Sequence, residues 1–333
     1  MSNLPEKRRT SEMAEPVQEA IHAMEAYTGA EKGYRRAHSR GLVFHATFTP
    51  APDARGLTTA EHFQGPPIRT LVRLSNAAGN PHAGDRVSPT RGRVLGLAVR
   101  FTLPSGGFAT WAAANIPVFL VRTPQEFVQL TTAQRPEGEK RKPNPLRLLG
   151  YLATHLSALR GIKGVAQLKP TPSFAHERFN GIHAYHLVDA NGQRRTFRYR
   201  WVPLAGPASL SEAEATQRPE QYLLDEIRQR VSRERVSWDL EFQLAQPGDP
   251  THDATRAWPE DRPLVTVGRL VLERPYEDQR ESELFVFDPT GVVPGIELSD
   301  DPILRFRSQV YRESHRRRAQ ETKAEPKPAD LGQ

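Results

Sequence analysis

The residues best able to do chemistry stand near the end of the chain, in RSQVYRESHRRR, residues 307–318. Read as a helix turning about 100° per residue, this stretch puts Arg307, Tyr311 and Arg318 within about 40° of one another, with His315 beside them. A helix stripe that faces inward is ordinarily apolar. A phenol between two guanidinium groups points instead to a bound metal or anion. Phenols ionise near pH ~10 in water, and an adjacent guanidinium favours the charged oxygen through charge and hydrogen bonding. A phenolate is a hard anionic oxygen suited to ferric iron, and tyrosine is among the few axial haem ligands that proteins use. The second arginine, further along the stripe, is placed to meet a carboxylate with two parallel hydrogen bonds. A merely solvated helix face is the alternative for this spacing taken alone.

The elements that must position this stripe are legible in outline. From about residue 40 the chain shows short apolar or alternating runs, GLVFHATFT, TLVRLSN, GLAVRFTL and IPVFLVRT, which are strand-like and bounded by Gly and Pro. A helical stretch, NPLRLLGYLATHLSAL, precedes a hairpin, GIHAYHLVDANGQRRTFRYRWVPL, with DANG as its turn. PEQYLLDEIRQRVSR reads as another helix, SWDLEFQLA and LVTVGRLVLERP as strands, and the stripe as the last helix. Many strands with helices inserted and appended predict an α+β fold built on an antiparallel sheet or β-barrel core. Residues 1–30 read as an N-terminal helical arm whose thin stripe, Val17, Ile21 and Met24, packs on the body or on a second subunit. Residues 31–318 form the main domain, and 319–333 a disordered polar tail. His183 and His186 lie three apart in a strand, on opposite faces, so they cannot share a metal there. Both read as structural or surface residues.

Composition narrows the class. The 333 residues include no cysteine, which excludes disulfides, cysteine-bound zinc, iron–sulfur clusters and thiolate-bound haem. No apolar run is long enough for a membrane span, so no integral membrane association is expected. The paired arginines of the N-terminus lack a following apolar stretch, and a cytoplasmic location is expected. The net charge of +7 is spread among acidic residues, as in DEIRQRVSRERVSWD, so a mixed-charge surface is expected and no nucleic-acid partner. Walker A, dinucleotide-fingerprint, G-x-S-x-G and H-E-x-x-H motifs are absent.

The segment FDPTGVVPGIELSDDPILRFRSQVYRESHRRR, residues 287–318, resembles the C-terminal signature of haem catalases, and more specifically of the small catalase-related peroxidases. That signature is R-x-x-x-Y followed by S/T-H-x-x-R, after a P-G-I-E turn. The resemblance makes Tyr311 the iron ligand, Arg307 its charge partner, Arg318 a propionate partner, and His315 part of the cofactor-binding set. WPEDRPLVTVGRLVLERP and FNGIHAYHLVDANG resemble two further family segments, and the likeness spans roughly residues 31–318. It implies haem b as cofactor. On the distal side YRRAHSRGLVFHATF is similar to the family's R-x-x-H-A-K-G frame, which selects His38 as distal histidine and Arg35 as a propionate contact, leaving His45 structural. VRLSNAAG similarly implies Arg73 as another propionate partner and Ser75 beside the histidine. IPVFLVRTPQEF implies Phe119 in the distal pocket and Phe127 against the porphyrin. By itself, either phenylalanine reads as ordinary core.

Such a site would let one neutral imidazole carry a proton between the two oxygens of a peroxide. The anionic oxygen on the other side of iron would favour O–O cleavage. One departure stands out. Where catalases carry a distal asparagine, this chain has Ala114, with Asn115 one residue later as the remaining candidate amide. Ala37, too, replaces a bulkier valine before the distal histidine. The expected function is therefore reduction of hydrogen peroxide or organic hydroperoxides by a small organic reductant, with weak catalase activity. Rearrangement of lipid hydroperoxides to allene oxides, a non-enzymatic haem sensor or carrier, and a haem-free interaction protein are the alternatives. The chain lacks the long arm and C-terminal additions of full catalases, and a homodimer is expected.

Overall fold

The computed structural model describes residues 4–85, 93–137 and 142–322. Helix α1 (Leu4–Thr28) leads into strands β1 (Gly41–Pro50), β2 (Ile68–Asn76), β3 (Leu95–Thr102) and β4 (Phe108–Ala114). Helix α2 (Pro124–Ala133), the short pair β5 (Pro136–Glu137) and β6 (Lys142–Pro143), and helices α3 (Pro145–Thr154) and α4 (Ala158–Ala166) follow. Then come β7 (Phe179–Val188), β8 (Arg194–Pro203), α5 (Glu212–Gln217) and α6 (Tyr222–Arg233). The chain ends through β9 (Ser237–Leu244), β10 (Leu264–Pro275), β11 (Ile296–Leu298) and α7 (Pro302–Glu321).

Hydrogen bonding runs β1–β2–β3–β4–β7–β8–β9–β10 and back to β1, all antiparallel, so the sheet closes on itself, and β11 adds to β7. Closure removes the exposed edges that an open sheet would leave. Strand alternation sets the two faces of the wall. Along β1, Leu42, Phe44, Ala46 and Phe48 enter the barrel core, while Val43 packs outside against Phe285 and Phe287. The interior is filled by aromatic rings: Phe48, Phe101 and Trp201 meet edge to face, and Trp111 lies 4.5 Å from Tyr199 between ring centroids. A barrel this full leaves its ligand-sized space outside the wall, under the helices.

The predicted α+β barrel is the observed one. Leu4–Thr28 of the expected N-terminal arm form a helix, and that helix packs on the body. Val17, Ala20, Ile21 and Met24 are buried in a helical cluster with Leu130 of α2 and Phe306 and Val310 of α7. The far boundary differs from expectation, since α7 continues past Arg318 to Glu321. Glu321 pairs with the buried Arg36 and accepts the Gly33 N–H at 2.9 Å, which ties this last turn to the segment before β1. The rest of the expected tail, residues 323–333, lies outside the described residues. Among the described residues, no helix is long and apolar enough to cross a membrane.

Candidate active site

A cavity lies between the barrel wall and α7. The wall contributes Arg73 and Ser75 from β2, Gly96 and Ala98 from β3, and Ala112, Ala113 and Ala114 from β4. Arg307, Val310, Tyr311, Ser314 and Arg318 face it from α7, and Arg35, Ala37 and His38 from the segment before β1. Met24 of α1 also lines it.

His38 is held in an unusual backbone state. Its φ of 51° is the left-handed region, and it is the one non-glycine residue there among those described. Histidine is tolerated there better than most residues, and such outliers concentrate at functional sites. The ring's Nδ1 lies 3.1 Å from Ser75 Oγ. Gly96 makes room for both, because a Cβ at that position would come within 3.1 Å of the imidazole and of the serine hydroxyl. Burial, then Arg73, Arg307 and Arg35, push the His38 pKa down to about 3. The imidazole is therefore neutral at physiological pH, able to accept a proton and return it.

The α7 side carries a continuous line of hydrogen bonds to Tyr311. Asp301 caps α7 by accepting the Ile303 N–H with Oδ1 at 2.9 Å. Its Oδ2 lies 2.7 Å from His183 Nδ1, and His183 Nε2 lies 2.9 Å from Arg307 Nη1. A carboxylate can only accept and a guanidinium only donate, so His183 is neutral with its proton on Nδ1. Arg307 then donates through Nη2 to the Tyr311 hydroxyl oxygen at 3.1 Å. Burial works against the charge on Arg307, but the neighbouring Tyr311 oxygen outweighs it and raises the guanidinium pKa. Phe119 backs this arrangement, its ring 5.7 Å from the Arg307 guanidinium carbon.

The opposite rim is short of negative charge. Arg35 forms an ion pair with Glu283, Arg73 lies 3.5 Å from the same carboxylate, and Arg318 donates through Nε to the Glu283 backbone oxygen at 2.9 Å. Burial and Arg35 lower the Arg73 pKa to about 10, and Arg318 is also lowered by burial. Burial opposes ionisation of Glu283 too, yet Arg35, Arg73 and Arg318 together hold its pKa below the usual carboxylate range. Among the described residues, Arg73 Nε has no hydrogen-bond partner. Three guanidinium groups against one carboxylate leave a surplus of two positive charges, which suits a ligand carrying two carboxylates.

A catalase family model matches residues 18–325. The chain belongs to the catalase family. It is an oxidoreductase that acts on peroxide. Curated relatives include a catalase-related peroxidase of Mycolicibacterium paratuberculosis, 36% identical over 88% of this chain and 91% of that protein. Another, of Synechococcus elongatus, is 32% identical over 90% and 88%. Catalase-1 of Arabidopsis thaliana is 29% identical, and the match covers 85% of this chain but 60% of that protein. Among solved structures, a fungal catalase superposes with a TM-score of 0.77 at 23% identity, over 86% of this chain and 59% of that one. The barrel with its appended helices is thus the catalase fold.

Within that fold the structure gathers Arg35, His38, Arg73, Ser75, Arg307, Tyr311 and Arg318 around one cavity. Four residues singled out in the sequence do not line it. Asn115 spends its side chain on structure: Oδ1 accepts the Leu95 N–H at 2.8 Å, and Nδ2 donates to the Arg93 carbonyl and to Glu177. Phe127 packs edge to face on Phe306 at the α2–α7 contact, 5.8 Å between centroids, which is the ordinary core role its sequence allowed. Phe119 stands behind Arg307 and belongs to two core clusters. His315 is buried, its Nε2 has no partner among the described residues, and its pKa is lowered to about 4 by burial, then Arg318 and Arg35. His183 is a buried structural residue, one of the two readings its sequence allowed, but the sequence did not show that it bridges Asp301 and Arg307. The β7–β8 ladder slips between Gly181 and Tyr185, and such a bulge redirects a side chain from its regular face. Glu283 was also missed. The Asp-Pro pair at 301 and 302 is a legible helix start, but nothing in the sequence joins it to His183.

Proposed function

We propose that this chain is a haem b peroxidase that reduces hydrogen peroxide or organic hydroperoxides with an organic reductant, and disproportionates peroxide slowly. One observation carries the reading: Tyr311 with its arginine donor, the neutral His38, and a rim with two unmatched positive charges all line one cavity. The residues fit the group. Tyr311 would hold the iron through its phenol oxygen, and Arg307 would support negative charge on that oxygen. Arg35, Arg73 and Arg318 would take the two propionates, whose charge equals the surplus. When bound, haem supplies the redox-active iron that receives the oxidising equivalents of the O–O bond.

The chain's own part is proton handling and access. A neutral imidazole at His38 takes the proton from one peroxide oxygen and delivers it to the other, which leaves as water or alcohol. Ser75 fixes the ring. The balance is ROOH + 2 AH → ROH + H2O + 2 A•, with each reductant AH giving up one electron and one proton. Ala37, Ala98, Ala112 and Ala114 are among the residues that line the cavity with His38, and no asparagine or glutamine is. Methyl groups there admit bulky hydroperoxides and add no amide hydrogen bond to those His38 and Ser75 can make, which favours peroxidase turnover over disproportionation.

The test is an absorption spectrum of haem-loaded protein, followed by peroxide consumption with and without guaiacol. Guaiacol-dependent consumption exceeding oxygen release is expected. Oxygen release at full catalase rates without a donor overturns the reading. Conversion of a lipid hydroperoxide to an allene oxide with no donor present selects rearrangement instead.

A further inference from the structure

Away from the cavity, the successive helices α3 and α4 turn leucines to solvent. Their inner faces belong to the helical cluster, in which Tyr151 and Ala158 are buried and Leu148, Leu152 and Ile162 pack against the rest. Gly161 and Gly164 seat α4 closely on the chain beneath it. A Cβ at Gly161 would stand 2.9 Å from the Leu120 Cα, and one at Gly164 would stand 3.4 Å from the Pro117 ring. On the outer side Leu146 is 76% exposed, Leu149 63%, Leu156 68% and Leu159 44%. Of the six large hydrophobic side chains exposed among the described residues, these four fall within one short stretch. Leu146, Leu149 and Ala153 recur at helical spacing along the outer face of α3, Leu156 stands in the turn, and Leu159 opens α4.

Charge on this surface is one-sided. Between Glu139 and Glu177 the chain carries seven lysines and arginines and no acidic residue. That equals the net charge of +7 for the whole chain, so the mixture of signs found elsewhere lapses here. Arg147, Arg160, Lys163 and Lys169 are exposed in or beside α3 and α4. Single exposed leucines are ordinary on a protein surface. Leucines and cations together on two adjoining helices, with no acid among them, are what a helix lying in a membrane interface presents. Anionic lipid answers both features, because headgroups attract the cations and the acyl boundary takes the leucines. A second copy meeting this face about a two-fold axis would set like charges against each other. An acidic protein would need a fitted recess for each leucine, whereas fluid acyl chains close around them.

We propose that α3 and α4 dock this chain on the surface of an anionic lipid bilayer. The four leucines enter the acyl boundary, and Arg147, Arg160, Lys163 and Lys169 meet the headgroups. Docking is peripheral, since helices of 10 and 9 residues reach about half of a span. It uses no residue of the cavity and stands apart from the peroxidase reading.

The test is flotation of the full chain with vesicles of phosphatidylcholine, alone or mixed with phosphatidylglycerol. The chain should float with the mixed vesicles and stay behind with the neutral ones, and added salt should release a large part of it. L149S/L156S and R160Q/K163Q alter only exposed side chains, so thermal unfolding should be unchanged in both. Each should weaken binding to mixed vesicles by about tenfold or more. Absence of flotation with mixed vesicles overturns the proposal. Binding that R160Q/K163Q abolishes and L149S/L156S leaves intact also overturns it, as the behaviour of a purely ionic surface suited to an acidic protein. Self-association in lipid-free solution that L149S/L156S removes, with no flotation, assigns the face to a second copy instead.

Discussion

The two sides of the cavity handle buried charge in opposite ways. On the α7 side, Asp301, His183, Arg307 and Tyr311 form a continuous line of donors and acceptors. On the rim, Arg35 and Arg73 share one carboxylate, Arg318 is left to a backbone carbonyl, and Arg73 Nε has no partner among the described residues. The first arrangement is complete before any ligand arrives, and fixes one phenol oxygen in place. The second is complete only when two more negative charges enter. A site that must hold an anionic cofactor benefits from both: one anchor set by structure, and one whose binding energy comes from relieving unmatched charge.

The sharpest way to break this comparison is to remove the anchor. Y311F keeps the ring and deletes the oxygen, so haem affinity should fall by more than about 100-fold. Loss of a group that merely orients a metal ligand already costs about 10–100-fold. Haem titration followed by absorbance checks this, with the rim arginines still present as an internal control. Retention of haem at natural affinity and with an unaltered spectrum would mean that the rim alone holds the cofactor.

The next effect concerns the rim. E283Q raises the surplus from two positive charges to three by removing the one counter-charge. The haem-free protein should lose on the order of 3–5 kcal/mol, the usual result of leaving buried ions unpaired. Haem should restore much of it. Thermal unfolding with and without haem measures both, and equal losses in the two states would show that Glu283 has no part in balancing the rim.

The α7 side was mostly legible in the sequence, and the rim was only partly so. Helix periodicity placed Arg307, Tyr311 and Arg318 on one stripe, because that relation is set within twelve residues of a single element. Period-two alternation likewise gave the barrel strands and the facing pair Arg73 and Ser75. Glu283 lies in an irregular segment outside any long element, and its role depends on three arginines from three parts of the chain. No local pattern encodes such a convergence. Asn115 and Phe127 fell away for a related reason. A motif position gives a residue's place in the chain, whereas the direction of its side chain is decided by whichever backbone groups or rings it can reach.

A smaller effect comes from D301N. The amide presents either an acceptor or a donor to His183 Nδ1 and keeps the size of the cap. Weakening this link should cost about 1–3 kcal/mol in stability, since a buried charged hydrogen bond is lost. Because the perturbation reaches Tyr311 only through His183 and Arg307, the haem spectrum should shift while haem stays bound. A spectrum identical to that of the natural chain would mean that the line from Asp301 to Tyr311 does not act as a unit.

Acid probes both sides at once. His38 is pushed to about 3 in the folded chain, against about 6.5 when unfolded. Between those values the unfolded chain binds the extra proton, so stability rises with pH across that window and is lost as pH falls through it. Each such histidine contributes a slope of at most about 1.4 kcal/mol per pH unit. His62, buried among Phe63, Phe101 and Trp111 and pushed to about 3 by burial alone, adds a slope of the same sign. H38Q should therefore flatten the acid limb of stability without abolishing it. His183 sits on the complete side of the cavity, where burial lowers its pKa and Asp301 opposes the shift. The corresponding change on H183Q should be smaller in slope but accompanied by a change in the haem spectrum. Denaturant titrations at pH 4, 5, 6 and 7 separate the two histidines. Equal flattening in both variants would erase the distinction between an imidazole kept free to move a proton and one tied into the line behind Tyr311.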